Sequence, residues 1–166
     1  IILANLNINS VRNKFYQLKT IIKDNVDILI LTETKIDASF PEAQFNIDGY
    51  SKPFRLDRNS YGGGLLIFVR EDIPCKQLVK HTFPNDIEGI FVEINLRKSK
   101  WLLFGTYHPP SQSNDYYFES ISKAMDVYLG SYDRFILGGD FNCQDSEPCL
   151  KSFLDQYHAK NIVKDK

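Results

Sequence analysis

Short runs of apolar residues recur along the chain, each bounded by polar or glycine-rich segments. The runs at residues 1–6, 26–32 and 65–69 have the length and the nearly continuous apolar character of strands buried on both faces. Residues 89–96 instead alternate between apolar and polar side chains, and residues 101–107 return after a polar turn, which predicts an antiparallel hairpin. The pattern therefore predicts sheets that mix buried parallel strands with antiparallel ones.

Apolar residues spaced three and four apart predict amphipathic helices between these strands. The first helix follows Ser10, a suitable N-cap, and its stripe is Val11, Phe15, Leu18 and Ile22. The second begins in the polar segment 111–114, and its stripe is Phe118, Ile121, Met125 and Tyr128. A third, short helix is predicted over residues 148–157. Because the first helix joins two buried strands, those strands should be parallel, and the whole pattern favours a layered α/β sandwich.

The irregular segment 34–59 predicts one short strand and contains a local basic cluster of Lys52, Arg55 and Arg58. This cluster is either a solvated loop or a contact for a phosphate backbone. The three glycines at residues 62–64 precede a strand rather than a helix, so they do not form a phosphate-binding loop. They predict a bulge or a close approach of another part of the chain.

Composition limits the classes of protein that fit. With 166 residues, 43% of them hydrophobic, the chain suffices for a single globular domain over residues 1–166. No apolar run approaches the length of a membrane span. Three cysteines without a paired spacing, and no glycosylation sequon, favour an intracellular setting. Since the net charge is −1, any contact with nucleic acid must rely on local patches or on a metal.

Polar side chains with oxygen atoms follow several predicted strands. Asp140 and Asn142 end the apolar run at 135–139, and strand alternation predicts that they share one face while Phe141 points into the core. Asn7 and Glu33 follow the first two strands, whose carboxyl ends should lie on the same side of the sheet. Mg²⁺ prefers one or two carboxylates together with waters and substrate phosphate, so these residues suit a magnesium site.

Each of these residues also has a purely structural interpretation. Asp140 would cap a turn, Asn7 would be a turn residue, and Glu33 would be a solvated strand end. Tyr107 would be a core aromatic residue with a satisfied hydroxyl group. Residue types alone leave these alternatives open.

Five motifs occur in the order and approximate spacing of the endonuclease/exonuclease/phosphatase superfamily. They are LNINS at residues 6–10, TET at 32–34, GGG at 62–64, YHPP at 107–110 and GDFN at 139–142. The segments NSVRNKF at 9–15, TETKID at 32–37 and RLDR at 55–58 make the chain most similar to the apurinic-endonuclease-like domain of non-LTR (LINE-type) retrotransposons. The resemblance implies a DNase I-like fold, a four-layer α/β/β/α sandwich with mixed sheets.

The resemblance also implies roles for matched residues. Asn7 matches an asparagine that positions the metal and the scissile phosphate, and Glu33 matches a metal-binding glutamate. Tyr107 and Asn142 match residues that contact the phosphate, and Asp140 matches the aspartate that orients or activates the attacking water.

Asn9 stands where some relatives have an aspartate, which makes it a further candidate metal ligand. The implied cofactor is Mg²⁺, with Mn²⁺ as a substitute. The implied partners are target DNA and a linked reverse transcriptase, with no membrane, and the implied place of action is the nucleus. The implied activity is nicking of target DNA to prime reverse transcription.

One departure from the superfamily pattern concerns its Ser-Asp-His motif, which this sequence lacks. The three histidines, His81, His108 and His158, stand in no matching context. We therefore expect the chain to be a C-terminally truncated domain that lacks one edge of its second sheet and the catalytic histidine, and that is impaired in activity. Two alternatives stay open, namely a phosphoesterase of the same superfamily that acts on lipid or inositol phosphates, and a non-catalytic decayed copy.

Overall fold

The computed structural model describes residues 1–22, 25–79 and 83–163, in which eight strands form two four-stranded sheets. The strands are β1 (Leu3–Asn7), β2 (Ile28–Thr32), β3 (Phe54–Leu56), β4 (Leu65–Val69), β5 (Cys75–Leu78), β6 (Glu88–Leu96), β7 (Ser99–Tyr107) and β8 (Arg134–Asp140). The helices are α1 (Phe15–Ile22), α2 (Asn114–Asp126) and α3 (Pro148–Gln156), with short 3₁₀ helices at Glu42–Phe45 and Leu129–Ser131. His81 and Lys23 lie outside the described residues.

Both sheets mix parallel and antiparallel pairs, as the sequence pattern predicts. The first has the order β1-β2-β4-β3, in which β1 and β2 are parallel and the other pairs are antiparallel. The second has the order β5-β6-β7-β8, in which only β7 and β8 are parallel. The hairpin of β6 and β7 turns at Arg97 and Lys98, whose positive φ angles of 49° and 69° suit a tight two-residue connection.

Four layers stack in the order helix, sheet, sheet, helix, which confirms the predicted α/β/β/α sandwich. The stripe of α1 packs on the outer face of the first sheet, and α2 and α3 pack on the outer face of the second. The interior between the sheets is almost wholly aliphatic: Ile28, Ile30, Leu65, Ile67, Val69, Ile90, Val92, Ile94 and Leu103 are all buried there. No helix within residues 1–22, 25–79 and 83–163 has the length and apolarity needed to cross a membrane.

The first helix begins later than the sequence predicts. Its stripe is buried as expected, but Ser10 is not an N-cap, because the helix starts at Phe15 and Ser10 adopts a φ of 77°. The backbone N–H groups of Ser10 and Val11 donate to the carbonyls of Glu33 and Thr34, at 2.8 and 3.0 Å. These bonds hold the segment against the turn after β2 instead of in a helix.

Glycines in β7 and β8 allow the two sheets to approach closely. A Cβ atom on Gly105 would lie 2.5 Å from Cδ1 of Ile67, and one on Gly138 would lie 2.6 Å from Cδ1 of Ile30. The space that side chains would occupy is therefore already filled by isoleucines of the facing sheet. This close approach brings the ends of β7 and β8 near the ends of β1 and β2.

We expect Gly105→Val to lower the free energy of unfolding by about 1–3 kcal/mol, because the new side chain overlaps Ile67 in a filled interior. The matched control is Gly130→Val, since no atom lies within 4 Å of a Cβ at that position. Urea unfolding of both variants measures the difference, and equal stability of the two would contradict the close approach of the sheets.

Candidate active site

Strands from both sheets end at one edge of the sandwich. Asn7 ends β1, Glu33 follows β2, and Tyr107 and Asp140 end the paired strands β7 and β8. The predicted convergence of Asn7 and Glu33 follows from the parallel register of β1 and β2, in which Asn7 lies opposite Thr32. The structure thus brings four of the six predicted site residues to one place.

Two hydrogen bonds between candidate site residues join the sheets at this edge. The hydroxyl of Tyr107 donates to Oε1 of Glu33, and Nδ2 of Asn7 donates to Oδ2 of Asp140 at 2.8 Å. Burial, together with the carboxylate of Glu33, raises the pKa of Tyr107. Tyr107 therefore keeps its proton at neutral pH and acts as a hydrogen-bond donor.

Asn142 reaches the site through a turn instead of strand alternation. The prediction that Asp140 and Asn142 share a strand face is wrong, because β8 ends at Asp140 and Asn142 has a φ of 44°. Oδ1 of Asp140 accepts the backbone N–H of Asn142 at 3.1 Å, which forms a tight side-chain-to-backbone turn. Phe141 packs into the core beside α2, as predicted.

Left-handed backbone conformations are concentrated in the turns of this site. Five residues other than glycine there have positive φ angles: Asn9 at 44°, Ser10 at 77°, Glu33 at 56°, Lys35 at 53° and Asn142 at 44°. Such conformations cost free energy and persist where surrounding contacts hold them, commonly at functional sites. The turns therefore have defined shapes that fix the directions of their side chains.

Asn9 is the predicted metal ligand whose side-chain oxygen accepts a hydrogen bond from a lysine. Its Oδ1 accepts a hydrogen bond from Nζ of Lys35 at 2.6 Å, and Lys35 also lies 3.4 Å from Oε2 of Glu33. Nζ of Lys14 donates to the backbone carbonyls of Ile8 and Asn9, at 2.6 and 2.9 Å. Two lysines thus fasten the turn after β1, and a metal at Oδ1 of Asn9 would have to displace Lys35.

The remaining donor set fits a hard divalent cation with few protein ligands. Glu33 supplies a carboxylate, and among the described residues Oδ1 of Asn7 accepts one hydrogen bond, from the backbone of Asn9 at 3.1 Å. Within the residues that the structure describes, no three Asp, Glu, His or Cys side chains form a cluster able to hold a metal. Mg²⁺ tolerates this arrangement, since it retains several waters and takes ligands from substrate phosphate.

A buried carboxylate that the sequence analysis missed lies behind the glycine-rich segment. Glu88 is 5% exposed, and its carboxylate contacts Nη1 of Arg58 at 3.1 Å and the N–H of Gly64 at 2.5 Å. A Cβ atom on Gly63 would clash with Oε1 of Glu88, and one on Gly64 would clash with Oγ1 of Thr34, which confirms the predicted close approach. The available signal for Glu88 was a carboxylate placed directly before the alternating run at residues 89–96.

The basic cluster is divided between different partners. Arg55 pairs with Asp57 at 2.7 Å and donates to backbone carbonyls, whereas Arg58 pairs with Glu88 and Lys52 is exposed. The cluster is therefore not a set of three free cations.

His108 is a second residue whose position the sequence did not predict. It is 1% exposed, stacks on Tyr117 with ring centroids 4.1 Å apart, and lies with Nδ1 2.6 Å from the carbonyl of Phe141. Its own carbonyl accepts Nδ2 of Asn142 at 2.6 Å. His108 matches no family motif in the sequence, but in the structure it lies beneath the Asn142 turn. His158 lies past the end of α3, away from these contacts.

The sequence profile of the Endonuclease/Exonuclease/phosphatase family matches residues 4–155. The chain therefore belongs to this family of nucleases and phosphatases, which confirms the predicted superfamily. A search of curated proteins finds no significant match.

Solved structures share the fold at low sequence identity. The endonuclease domain of TRAS1, a telomere-specific non-LTR retrotransposon, is 20% identical, with a TM-score of 0.64 over 97% of this chain and 73% of that one. An AP endonuclease from Archaeoglobus fulgidus is 19% identical, with a TM-score of 0.62 over 94% and 71%. A variant of the 3′ phosphatase NExo from Neisseria, bound to product DNA hairpin, is 17% identical, with a TM-score of 0.61 over 87% and 59%. This chain thus spans 59% to 73% of these three structures.

We expect Asn142→Gly to be more stable than Asn142→Ala by about 1 kcal/mol, because only alanine pays the cost of a left-handed conformation. Both variants lose the hydrogen bond to the carbonyl of His108. The difference between their free energies of unfolding therefore measures the cost of the left-handed backbone at this position. Thermal unfolding measures it, and an alanine variant at least as stable as the glycine variant would contradict the positive φ.

We expect the stabilising effect of Glu88 to fall as the pH rises. Burial raises the pKa of Glu88 above its ordinary value of 4.5, although Gly64 and Arg58 oppose the shift. The folded protein then binds this proton more tightly than the unfolded chain does. The contribution of Glu88 to the free energy of unfolding is therefore complete below the pKa of Glu88 in the unfolded chain, and it is lost as the pH rises through the pKa of Glu88 in the folded protein.

Urea unfolding of the wild type and of Glu88→Gln, from about pH 4.5 to about pH 7.5, measures this effect as the difference between their free energies of unfolding. The wild type should lose stability relative to the variant across that range. A difference that is constant or rises with pH would contradict the raised pKa.

Proposed function

We propose that this chain is the metal-dependent endonuclease domain of a non-LTR retrotransposon, and that it nicks target DNA by hydrolysing a phosphodiester. The observation that carries the proposal is the junction of Asn7, Glu33, Tyr107 and Asp140 at one edge of the sandwich. Belonging to a family of nucleases and phosphatases supports hydrolysis, and likeness to the retrotransposon endonuclease supports DNA as the substrate.

Hydrolysis requires a positioned water, hydrogen-bond donors to the phosphate oxygens, and a group that accepts the proton of the water. Each oxygen of the Asp140 carboxylate accepts one hydrogen bond, from Asn7 or from Asn142, and retains a further lone pair for a water. In the proposed reaction the water oxygen attacks phosphorus, Asp140 accepts its proton, and the bond from phosphorus to the 3′ oxygen breaks. The 3′ oxygen takes a proton from solvent and becomes a hydroxyl group.

Amide and hydroxyl groups provide donors without adding negative charge. Nδ2 of Asn142 uses one hydrogen on the carbonyl of His108, which leaves the second for a phosphate oxygen. Tyr107 remains protonated and is the second proposed donor, with its single O–H rotating from Oε1 of Glu33 toward a phosphate oxygen when the substrate binds. Such fixed donors stabilise charge that develops on the phosphate.

Glu33 and Asn7 are the residues that would hold Mg²⁺, or Mn²⁺ in its place. The bound cation would neutralise charge on the phosphate oxygens. Tyr107 and Lys35 on either side of Glu33 restrict its rotamer, and so present the carboxylate in one orientation.

The proposal extends to the partners and place of action. A nick with a 3′ hydroxyl is a primer, so a linked reverse transcriptase is the proposed user of the product. The proposed place of action is nuclear DNA inside the cell. These points rest on the resemblance of the sequence motifs to those of non-LTR retrotransposons.

Nicking of supercoiled plasmid in Mg²⁺ and in EDTA tests the proposal, with the chain and a version extended from its source DNA assayed in parallel. Nicking that EDTA abolishes supports a metal-dependent endonuclease. Cleavage of a small phosphodiester with no effect on plasmid would instead favour the alternative phosphoesterase. Inactivity of both folded forms on both substrates would favour a decayed copy.

We expect Asp140→Ala to reduce nicking by at least about a hundredfold, because the proposed proton acceptor is lost. The control is Asp133→Ala, which changes a carboxylate just before β8 that accepts the backbone N–H of Lys100 at 3.1 Å. Initial rates on plasmid measure both variants, with circular dichroism to verify folding. Full activity of Asp140→Ala would remove Asp140 from the mechanism.

A further inference from the structure

Glu88 lies at the point where the glycine-rich segment meets the second sheet. It begins β6, pairs in register with Tyr107 of β7, and is 5% exposed. Its carboxylate accepts from the backbone of Gly64 at 2.5 Å and pairs with Arg58 at 3.1 Å. Burying a carboxylate costs free energy unless specific donors hold it, and the N–H of Gly64 and the guanidinium of Arg58 are those donors.

The segment that Glu88 holds is in turn bonded to the turn that carries Glu33. The carbonyl of Gly63 accepts the N–H of Lys35 at 3.0 Å, and the carbonyl of Gly64 accepts the N–H of Thr34 at 3.4 Å. Glu33 itself lies between β2 and these two residues with a φ of 56°. The conformation of Glu33 is therefore bounded on its C-terminal side by the glycine segment.

The fit between these parts also explains why glycine is needed. A Cβ on Gly63 would overlap Oε1 of Glu88, and a Cβ on Gly64 would overlap Oγ1 of Thr34. The side chain of Glu88 thus occupies the room that a larger residue would need. The glycines, Glu88 and the Glu33 turn form one packed unit, in which moving any part moves the others.

We propose that Glu88 is a positioning residue, which fixes the left-handed turn of Glu33 through Gly63 and Gly64 and thereby orients the Glu33 carboxylate. Glu88 does not touch the substrate or the metal. Its effect on metal binding and cleavage rests on the proposed function, whereas its effect on the shape of the turn does not.

The same strand contains a matched control. Glu93 is also buried, at 8% exposed, and its carboxylate also has a cationic partner, Lys76 at 3.3 Å, and a second donor, Tyr132 at 3.0 Å. Glu93 pairs in register with Lys76 and Leu102, away from the glycine-rich segment. Glu88→Gln and Glu93→Gln therefore remove equivalent charges from one strand, and only the first has a connection to Glu33.

The first measurement is amide hydrogen exchange at Thr34 and Lys35, which needs neither metal nor substrate. We expect Glu88→Gln to accelerate exchange at these two amides by about tenfold, while Glu93→Gln leaves them unchanged. Unchanged exchange at Thr34 and Lys35 in Glu88→Gln would overturn the proposal, as would equal acceleration in both variants. If Glu88→Gln does not fold, Glu88→Asp, which withdraws the carboxylate by one methylene group, takes its place under the same criteria.

The second measurement is Mn²⁺ binding by electron paramagnetic resonance, with plasmid nicking run on the same samples. We expect Glu88→Gln to weaken Mn²⁺ binding by about tenfold and Glu93→Gln to leave it unchanged. Faster exchange with no Mn²⁺ binding by the wild type would keep the positioning role and contradict the proposed function. Unaltered Mn²⁺ affinity and nicking in Glu88→Gln would overturn the role of Glu88 in orienting the carboxylate.

Discussion

Two hydrogen bonds between the sheets, from Tyr107 to Glu33 and from Asn7 to Asp140, are the interactions on which the proposed chemistry depends. Each bond joins a residue of the first sheet to a residue of the second. The arrangement therefore exists only while the two sheets keep their spacing and offset. An interior filled with isoleucine, leucine and valine sets that spacing, and Gly105 and Gly138 permit it at the strands that end in the site.

The turns at the ends of the strands convert this packing into directed side chains. Glu33, Asn9 and Asn142 all adopt left-handed conformations that an isolated chain would disfavour. Lys14 and Lys35 hold the Asn9 turn, the glycine-rich segment holds the Glu33 turn, and His108 holds the Asn142 turn. The favourable packing of the core thus offsets the free-energy cost of these three left-handed turns.

Periodicity predicted much of the fold, because burial repeats every two residues in a strand and every three or four in a helix. The stripe of α1 and the hairpin of β6 and β7 are examples. The start of α1 was not predictable from Ser10, because contacts with the distant carbonyls of Glu33 and Thr34 outweigh a local capping preference. The same reason applies to Asn142, whose conformation follows from bonds to Asp140 and His108. The types and the order of the site residues were likewise predictable, but their partners were not. Lys35 contacts the oxygen of Asn9, and Glu88 is buried behind Gly63, through contacts between segments that are far apart in the sequence.

We propose that this site hydrolyses a DNA phosphodiester and leaves a 3′ hydroxyl group that a polymerase extends. The most direct test is to nick plasmid with the protein in Mg²⁺ and then add a DNA polymerase with labelled nucleotides, with and without prior treatment by a 3′ phosphatase. We expect equal incorporation of label in both samples. Incorporation only after phosphatase treatment would contradict it, because the bond to the 5′ oxygen would then be the one that breaks.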